Sequence, residues 1–360
     1  MMPTVDLKSE KKVFIIAEIG KNFIQTEDDR SVAEYLDNAK KLTKAAKDAG
    51  ADAVKFQTHE VEDEVLNIDF TSPHFKAKER YSWVTRNTEA TPLEEFWKPL
   101  KVYCEEIGIL FFSTPMSHKA AKKLNEVGVP FWKIGSGDIQ DHVLFEYLIE
   151  TKKPVIISSG MVSLEELNAV VQYAQKKGAP LAVLYCISQY PAPPEYFNLA
   201  TIPYLVKKYP GVRIGFSDHS LGDEVARAAV AVGASIIEKH FSFSRDLWGA
   251  DHKVSMTPEE FAIMVHKIRA HDLGDPTPYL GEEGKELEGA NNRFRPFFNK
   301  ALMAATDIPA GTRLTKDMIF AMRPVSLAGG LPAHELPNIV GRTTTSPLKK
   351  YDPITMDSVA

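Results

Sequence analysis

Arg213-Ile214-Gly215-Phe216-Ser217-Asp218-His219 and Ile236-Ile237-Glu238-Lys239-His240 are two short apolar segments that run into ionisable residues, with a helical pattern over residues 223–232 and Gly233 between them. Apolar run, helix ended by glycine, apolar run is the mark of a parallel strand–helix–strand unit, because strands covered on both faces are buried throughout. Toward the N terminus the unit recurs, with strands at Val13-Phe14-Ile15-Ile16-Ala17-Glu18, Ala53-Val54-Lys55-Phe56-Gln57-Thr58 and Ile109-Leu110-Phe111-Phe112-Ser113-Thr114. Phe131-Trp132-Lys133-Ile134-Gly135-Ser136, Val155-Ile156-Ile157-Ser158-Ser159 and Ala182-Val183-Leu184-Tyr185-Cys186 complete the set. Eight such strands predict an α/β fold closed as a (β/α)8 TIM barrel, and that fold keeps its chemistry at the C-terminal strand ends, where the polar residues gather.

The helical stretches between strands carry their own boundaries. Ser163 with Glu166, and Thr257 with Glu260, are capping-box signals, and Gly50, Gly108, Gly128 and Gly178 mark helix ends. At 360 residues the chain has room for a barrel over residues 1–272 and something more. Residues 273–298 are rich in Gly, Pro and charge and read as a linker, and residues 299–360 as a small β-rich module. So small a module buries little surface and is expected to lean on something else. The connection over residues 60–91, with Phe75, Arg80, Tyr81, Trp83 and Arg86, is too long for an ordinary loop and is either a lid over the barrel mouth or a surface insertion.

Composition narrows the function. A net charge of −5 argues against a nucleic-acid partner held by bulk electrostatics, so any anionic ligand must be caught by locally placed cations. No apolar run approaches the roughly 20 residues of a membrane span, and the polar first residues show no signal-peptide core, so a cytoplasmic protein with no membrane partner is expected. Two cysteines, Cys104 and Cys186, both in apolar segments, exclude a disulfide framework and a cysteine zinc site, and both are expected in the core.

Residues two apart on a strand share a face, which pairs Lys55 with Gln57, Ser217 with His219 and Glu238 with His240. Two histidines at neighbouring strand ends suit a divalent metal completed by oxygen ligands, and the lack of a third favours Mn²⁺ or Mg²⁺ over a catalytic zinc. The plainer reading has each histidine hydrogen-bonded in the core. Lys55 and Lys133 sit inside apolar segments and need an anion, either a substrate phosphate or carboxylate or an ion pair with Glu18 or Asp138. Thr114, Ser136, Ser158 and Ser217 add hydroxyl donors. Lys239, between Glu238 and His240, should face the outer helices as a structural residue, and Tyr190 follows the sixth strand toward the mouth or into the core.

Taken in order, Ile16-Ala17-Glu18-Ile19-Gly20, Lys55-Phe56-Gln57, Phe112-Ser113-Thr114-Pro115, Lys133-Ile134-Gly135-Ser136-Gly137-Asp138, Ile157-Ser158-Ser159-Gly160-Met161, Gly215-Phe216-Ser217-Asp218-His219 and Glu238-Lys239-His240-Phe241 resemble the sialic acid synthase family. Asp307-Ile308-Pro309-Ala310-Gly311 and Arg323-Pro324 resemble its antifreeze-like (SAF) domain. The resemblance implies condensation of phosphoenolpyruvate with N-acetylmannosamine or a related N-acyl hexose to a nine-carbon 2-keto acid and phosphate, as in an N-acetylneuraminate synthase. A diacetamido hexose, as in legionaminate synthesis, and N-acetylmannosamine 6-phosphate are the alternative acceptors. It assigns Lys55, Thr114, Lys133, Ser136, Ser158, Ser188 and Ser217 to phosphoenolpyruvate and His219 and His240 to the metal. Glu18, Gln57, Tyr190 and Asp251 fall to the sugar, and Arg323 to its N-acyl group from the partner chain of a domain-swapped homodimer. Glu238 or Glu18 is the candidate for proton transfer, and Asp138 for orienting water. Asn22-Phe23, where the family usually has Asn-His, and Ile187 are departures. A metal-dependent sugar aldolase or isomerase, and an idle carbohydrate-binding protein, are the competing readings.

Overall fold

Strands β1 (Phe14–Gly20), β2 (Ala53–Thr58), β3 (Leu110–Pro115), β4 (Trp132–Ile134), β5 (Val155–Ser158), β6 (Leu181–Cys186), β7 (Arg213–Asp218) and β8 (Ile236–His240) form one parallel sheet ordered β3-β2-β1-β8-β7-β6-β5-β4. Because β1 pairs with both β2 and β8, the sheet wraps on itself, closed but for the seam between β3 and β4. The computed structural model describes residues 12–360 except 74, 76, 77, 190, 191, 193, 283–286 and 288–292. Six of the seven residues of β1 and every residue of β3, β6, β7 and β8 are buried, as continuous apolar strands under a jacket of helices require. The expected capping boxes form at Ser163 and Thr257, and another at Ser31 with Glu34. Among the described residues no helix is long and apolar enough to cross a membrane.

Register places the chemistry. Glu18 is level with Lys55 on β2 and with His240 on β8, Ser217 lies opposite Glu238, and Gln57 opposite Thr114. Paired residues on neighbouring strands point the same way, so these groups share the inner face near the C-terminal mouth, on successive levels. Lys239 faces the other way, fully buried against Asp218 at 2.6 Å, as a structural residue should.

The C-terminal module pairs β9 (Ala301–Ala304) with β10 (Ile319–Met322) in antiparallel fashion. Its apolar core of Leu302, Ile308, Ile319, Leu336 and Ile354 takes in Val143 from a barrel helix, so the module does lean on the barrel. The 60–91 connection supplies its seat. The backbone N–H of Arg323 donates to the Glu64 carbonyl at 2.9 Å, and that of Leu66 to the Arg323 carbonyl at 3.0 Å. The connection is itself pinned where Trp83 packs on Phe75 and Trp248, with ring centroids 5.0 and 5.4 Å away.

Candidate active site

The strand ends open into a cleft of ≈ 840 Å³, counted to its mouth, a size suited to small-molecule substrates. Its deep end is built on the two buried lysines. Lys55 Nζ lies 2.6 Å from Glu18 Oε2, 3.2 Å from Thr114 Oγ1 and 3.7 Å from Glu238 Oε2, while Lys133 Nζ lies 3.3 Å from Glu238 Oε1. The ion-pair alternative for Lys55 is therefore realised with Glu18. Lys133 is paired across the barrel with Glu238 rather than with Asp138, an arrangement that only the closed sheet creates. The Ser217 hydroxyl donates to Glu238 Oε1 at 3.0 Å.

These contacts separate the two glutamates. Burial raises the Glu18 carboxyl above its ordinary range, Lys55 offsetting this in part and Glu238 adding to it. Burial works the same way on Glu238, but Lys133 and Lys55 outweigh it and hold that carboxyl well below the usual range. The two carboxyls are thus pulled in opposite directions, which suits them to different parts in proton transfer. Burial lowers the Lys133 pKa, which Glu238 partly restores, whereas at Lys55 burial is outweighed by Glu18 and Glu238, and its pKa rises.

Beside the lysines lies a cluster of donors. The Gly160 N–H donates to Ser136 Oγ at 3.0 Å, and Ser158 Oγ, also on the cleft wall, has no hydrogen-bond partner among the described residues. Gly160 must lack a side chain, since a Cβ would come within 2.8 Å of both Ser136 Oγ and Cys186 Sγ and still nearer Ser188 Oγ. Ser188 is thus buried behind this wall. Cys186, expected in the core, is buried but lines the cleft, while Cys104 is a core residue.

His219 and His240 stand on the same wall with ring centroids 5.4 Å apart. His219 Nδ1 is 3.0 Å from the Ile187 carbonyl, which fixes the proton on Nδ1 and makes Nε2 the nitrogen that would meet a metal, the support usual for a metal-binding imidazole. Burial, then His240, pushes the His219 pKa down to about 3, so the ring is neutral near pH 7, as a ligand must be. No group of three or more His, Cys, Asp or Glu is arranged to hold a metal among the described residues. His219 and His240 are thus the two side chains that would offer an ion protein ligands, the rest coming from oxygen.

Toward the mouth, Gln57 donates to Glu18 Oε1 at 2.9 Å and accepts from Lys21 Nζ at 2.5 Å, with Asp251 beside them. Gly20, at φ +55°, keeps this corner open, because a Cβ would lie 3.1 Å from Glu18 Oε1 and 3.2 Å from Gln57 Nε2. Arg323 is fully buried and bonds Asp138, which also meets Lys300 at 3.0 Å. Here Arg323 comes from the same chain, where a partner chain was expected, so one copy alone can bring it to the cleft. Tyr190 lies outside the described residues. Asn22, next to the family departure, is structural, donating to the Phe241 carbonyl and to Ser255 Oγ at 3.0 Å each. Sequence reasoning missed Lys21, Met116, Met161, Phe294 and Phe298, and did not place Arg80 in the cleft, although all line it. Of these, Lys21, directly behind the first strand, and Arg80, in the connection read as a lid or a surface insertion, carried a signal.

A NeuB family model matches residues 42–274, and a SAF domain model matches residues 299–360. N-acetylneuraminate-9-phosphate synthase from Mus musculus is 34% identical over 352 residues, covering 96% of this chain and 92% of that protein. N,N'-diacetyllegionaminic acid synthase from Campylobacter jejuni is 30% identical over 345 residues, 94% of this chain and 98% of that one. The crystal structure of the spore coat polysaccharide biosynthesis protein SpsE from Bacillus subtilis superposes with a TM-score of 0.78 at 30% identity, covering 97% of this chain and 95% of that one. With likeness this extensive in sequence and in fold, the chain belongs to the NeuB family, the sialic acid synthases, and ends in a SAF domain.

Proposed function

We propose that the protein condenses phosphoenolpyruvate with an N-acylated hexose, with N-acetylmannosamine as the first acceptor to test, to give a nine-carbon 2-keto acid and inorganic phosphate. The observation that carries this reading is the deep end of the cleft, where Lys55 and Lys133 stand with Thr114, Ser136, Ser158 and Ser217 beside two histidines. A metal-dependent aldolase or isomerase working on an unphosphorylated sugar would use the metal but need no such anion site.

In this reading the two ammoniums hold the phosphate and carboxylate of phosphoenolpyruvate and stabilise charge as it develops. Its C3 forms the new bond to the aldehyde carbon of the open-chain sugar. Glu18, whose burial favours the protonated form, gives its proton to the aldehyde oxygen as that oxygen becomes a hydroxyl. Glu238, kept ionised, receives a proton from the water that adds at C2; the resulting C2 hydroxyl then becomes the ketone as the C2–O bond to phosphate breaks, and its proton leaves on the departing phosphate. Asp138, engaged by Arg323 and Lys300, serves to hold the arginine rather than to orient that water. His219 and His240 would hold a divalent ion, Mn²⁺ or Mg²⁺, which when bound supplies Lewis-acid polarisation of the aldehyde. A cytoplasmic homodimer that exchanges modules belongs to the same proposal, in which the Arg323–Asp138 contact seen within one chain would be made between two copies.

The test is direct. Purified protein with phosphoenolpyruvate, N-acetylmannosamine and Mn²⁺ should release one phosphate for each nine-carbon keto acid seen by mass spectrometry. Sugar turnover without phosphoenolpyruvate, or no phosphate release with any N-acyl hexose, overturns the reading.

A further inference from the structure

Arg80 reaches the cleft from the 60–91 connection and meets Arg323 there, and the reading above gives it no role. Both guanidiniums are buried, Arg80 at 5% exposure and Arg323 at 0%. Both lie over one ring, 5.5 and 5.8 Å from the centroid of Phe298. Arg80 Nη2 is 3.3 Å from Glu64 Oε1, and that carboxylate also lies 3.9 Å from Arg323 Nη1 and 2.6 Å from His59 Nδ1. Yet Arg80 Nε, Arg323 Nε and Arg323 Nη1 have no hydrogen-bond acceptor among the described residues. Buried N–H groups left without acceptors are costly, and on the wall of a cleft they point to a ligand that supplies one.

Charge says what kind of ligand. Arg80 is matched by Glu64, Arg323 by Asp138, and Lys300 by Asp141 at 2.8 Å as well as by Asp138. Three cations thus face three carboxylates. An anion brought between the guanidiniums would add a fourth negative charge to this buried group, whereas a neutral oxygen satisfies the N–H donors without disturbing the balance. The Phe298 ring beneath supplies an apolar wall to the same spot.

We propose that Arg80 binds the acceptor substrate alongside Arg323, and that the pair selects an uncharged amide or hydroxyl oxygen rather than a phosphate or carboxylate. The assignment rests on the condensation reading and deepens it. Lys21, Asp251 and Gln57 line the same cleft, so the acceptor would lie among strand-end residues and residues of the connection and module.

Steady-state kinetics on wild type and Arg80→Gln, with N-acetylmannosamine and its 6-phosphate as probes, test it. Arg80→Gln should raise KM for N-acetylmannosamine by about tenfold or more, the scale of one lost hydrogen bond to a charged donor. It should leave KM for phosphoenolpyruvate within about twofold and affect the two probe sugars to the same degree. An acceptor KM that stays put, or one that moves only together with that of phosphoenolpyruvate, makes Arg80 structural. A penalty on the 6-phosphate about tenfold larger than on the plain sugar makes the pair an anion site. A second measurement needs no variant: with wild-type enzyme, acetamide should compete with the acceptor more strongly than acetate does, and the reverse order overturns the proposal. Failure of wild type to release phosphate with either sugar is a different outcome. It sinks the condensation reading, and this assignment with it, whereas normal turnover with an indifferent Arg80→Gln sinks the assignment alone.

Discussion

Replacing Lys133 with methionine removes one ammonium while keeping much of the side-chain volume, so it isolates charge from packing. Lys133 stands 3.3 Å from Glu238 Oε1 at 2% exposure, a separation worth about 5 kcal/mol at an effective dielectric of roughly 20. Part of that returns, because Glu238 keeps Ser217 at 3.0 Å and Lys55 at 3.7 Å. Truncating one partner of a buried charge pair generally costs about 2–5 kcal/mol, and if phosphoenolpyruvate leans on Lys133 to that extent its KM rises by roughly 30- to 4000-fold. The acceptor KM should change little. Phosphate release at varied phosphoenolpyruvate and saturating sugar reads the effect. A second readout follows from Glu238, whose carboxyl Lys133 and Lys55 hold down against burial. With Lys133 gone its pKa must rise, so the acid limb of the kcat/KM profile should move to higher pH. Unchanged KM and kcat for phosphoenolpyruvate, with the fold intact, would leave Lys133 as a counter-charge for Glu238 and nothing more, and an acid limb that moves down would show the electrostatic reasoning to be wrong in sign.

Chelation should abolish turnover and Mn²⁺ or Mg²⁺ restore it, with His219→Ala or His240→Ala lowering kcat by about 10² or more; full activity in metal-free enzyme refutes the histidine assignment. Burial pushes the Asp63 carboxyl up to about 6, so the stability it contributes is complete below its unfolded pKa of 3.8 and lost as pH rises through 6. Asp63→Asn, which can still accept from the Lys119 N–H, should therefore match wild type in urea unfolding near pH 4 and exceed it by about 3 kcal/mol near pH 8; a difference independent of pH contradicts this. If modules exchange between subunits, Arg323→Ala and His240→Ala proteins refolded together should regain about half activity per heterodimer, since one site then carries both lesions and the other none. Demonstrated heterodimers that stay inactive would assign Arg323 to its own barrel, as it stands in the single chain.

The barrel and its deep end were readable in the sequence because their signals are local. A continuous apolar strand, a capping serine three residues before a glutamate, and a lysine inside an apolar run each announce themselves within a few positions. The facing of Ser217 with His219 and of Glu238 with His240 follows from strand alternation alone. What the sequence withheld depends on closure and docking. Lys133 meets Glu238 only because β4 and β8 face each other across the barrel, and Glu64, Arg80, Phe298 and Lys300 become neighbours only when the connection and the module meet. Cys186 misled for a related reason: an apolar strand end predicts burial, which is correct, but not that the burying surface is the wall of a cleft.

The two ends of the cleft therefore have different mechanical supports. Lys55, Lys133, Ser217, Glu238 and the two histidines stand on barrel strands or immediately beyond them, whose positions the sheet's hydrogen bonds fix. The acceptor end is a joint. Glu64 and Arg80 come from the connection, Asp138 from the turn after β4, Lys300 and Arg323 from the module, and the ion pairs among them close only when all three parts are together. Lifting the module would strip Asp138 of both its cations and leave Arg80 to Glu64 alone, so docking is tied to the integrity of this network. The same coupling runs in reverse: an acceptor that satisfies Arg80 and Arg323 strengthens the hold of module on barrel, while phosphoenolpyruvate, bound on the strands, can do so only weakly. Acceptor binding should thus protect the backbone N–H groups of Leu66 and Arg323 from hydrogen exchange more than phosphoenolpyruvate does, since these two bonds are the strand-like link between connection and module. Equal protection by the two substrates would mean that the module rides on the barrel as one rigid unit and takes no part in choosing the acceptor.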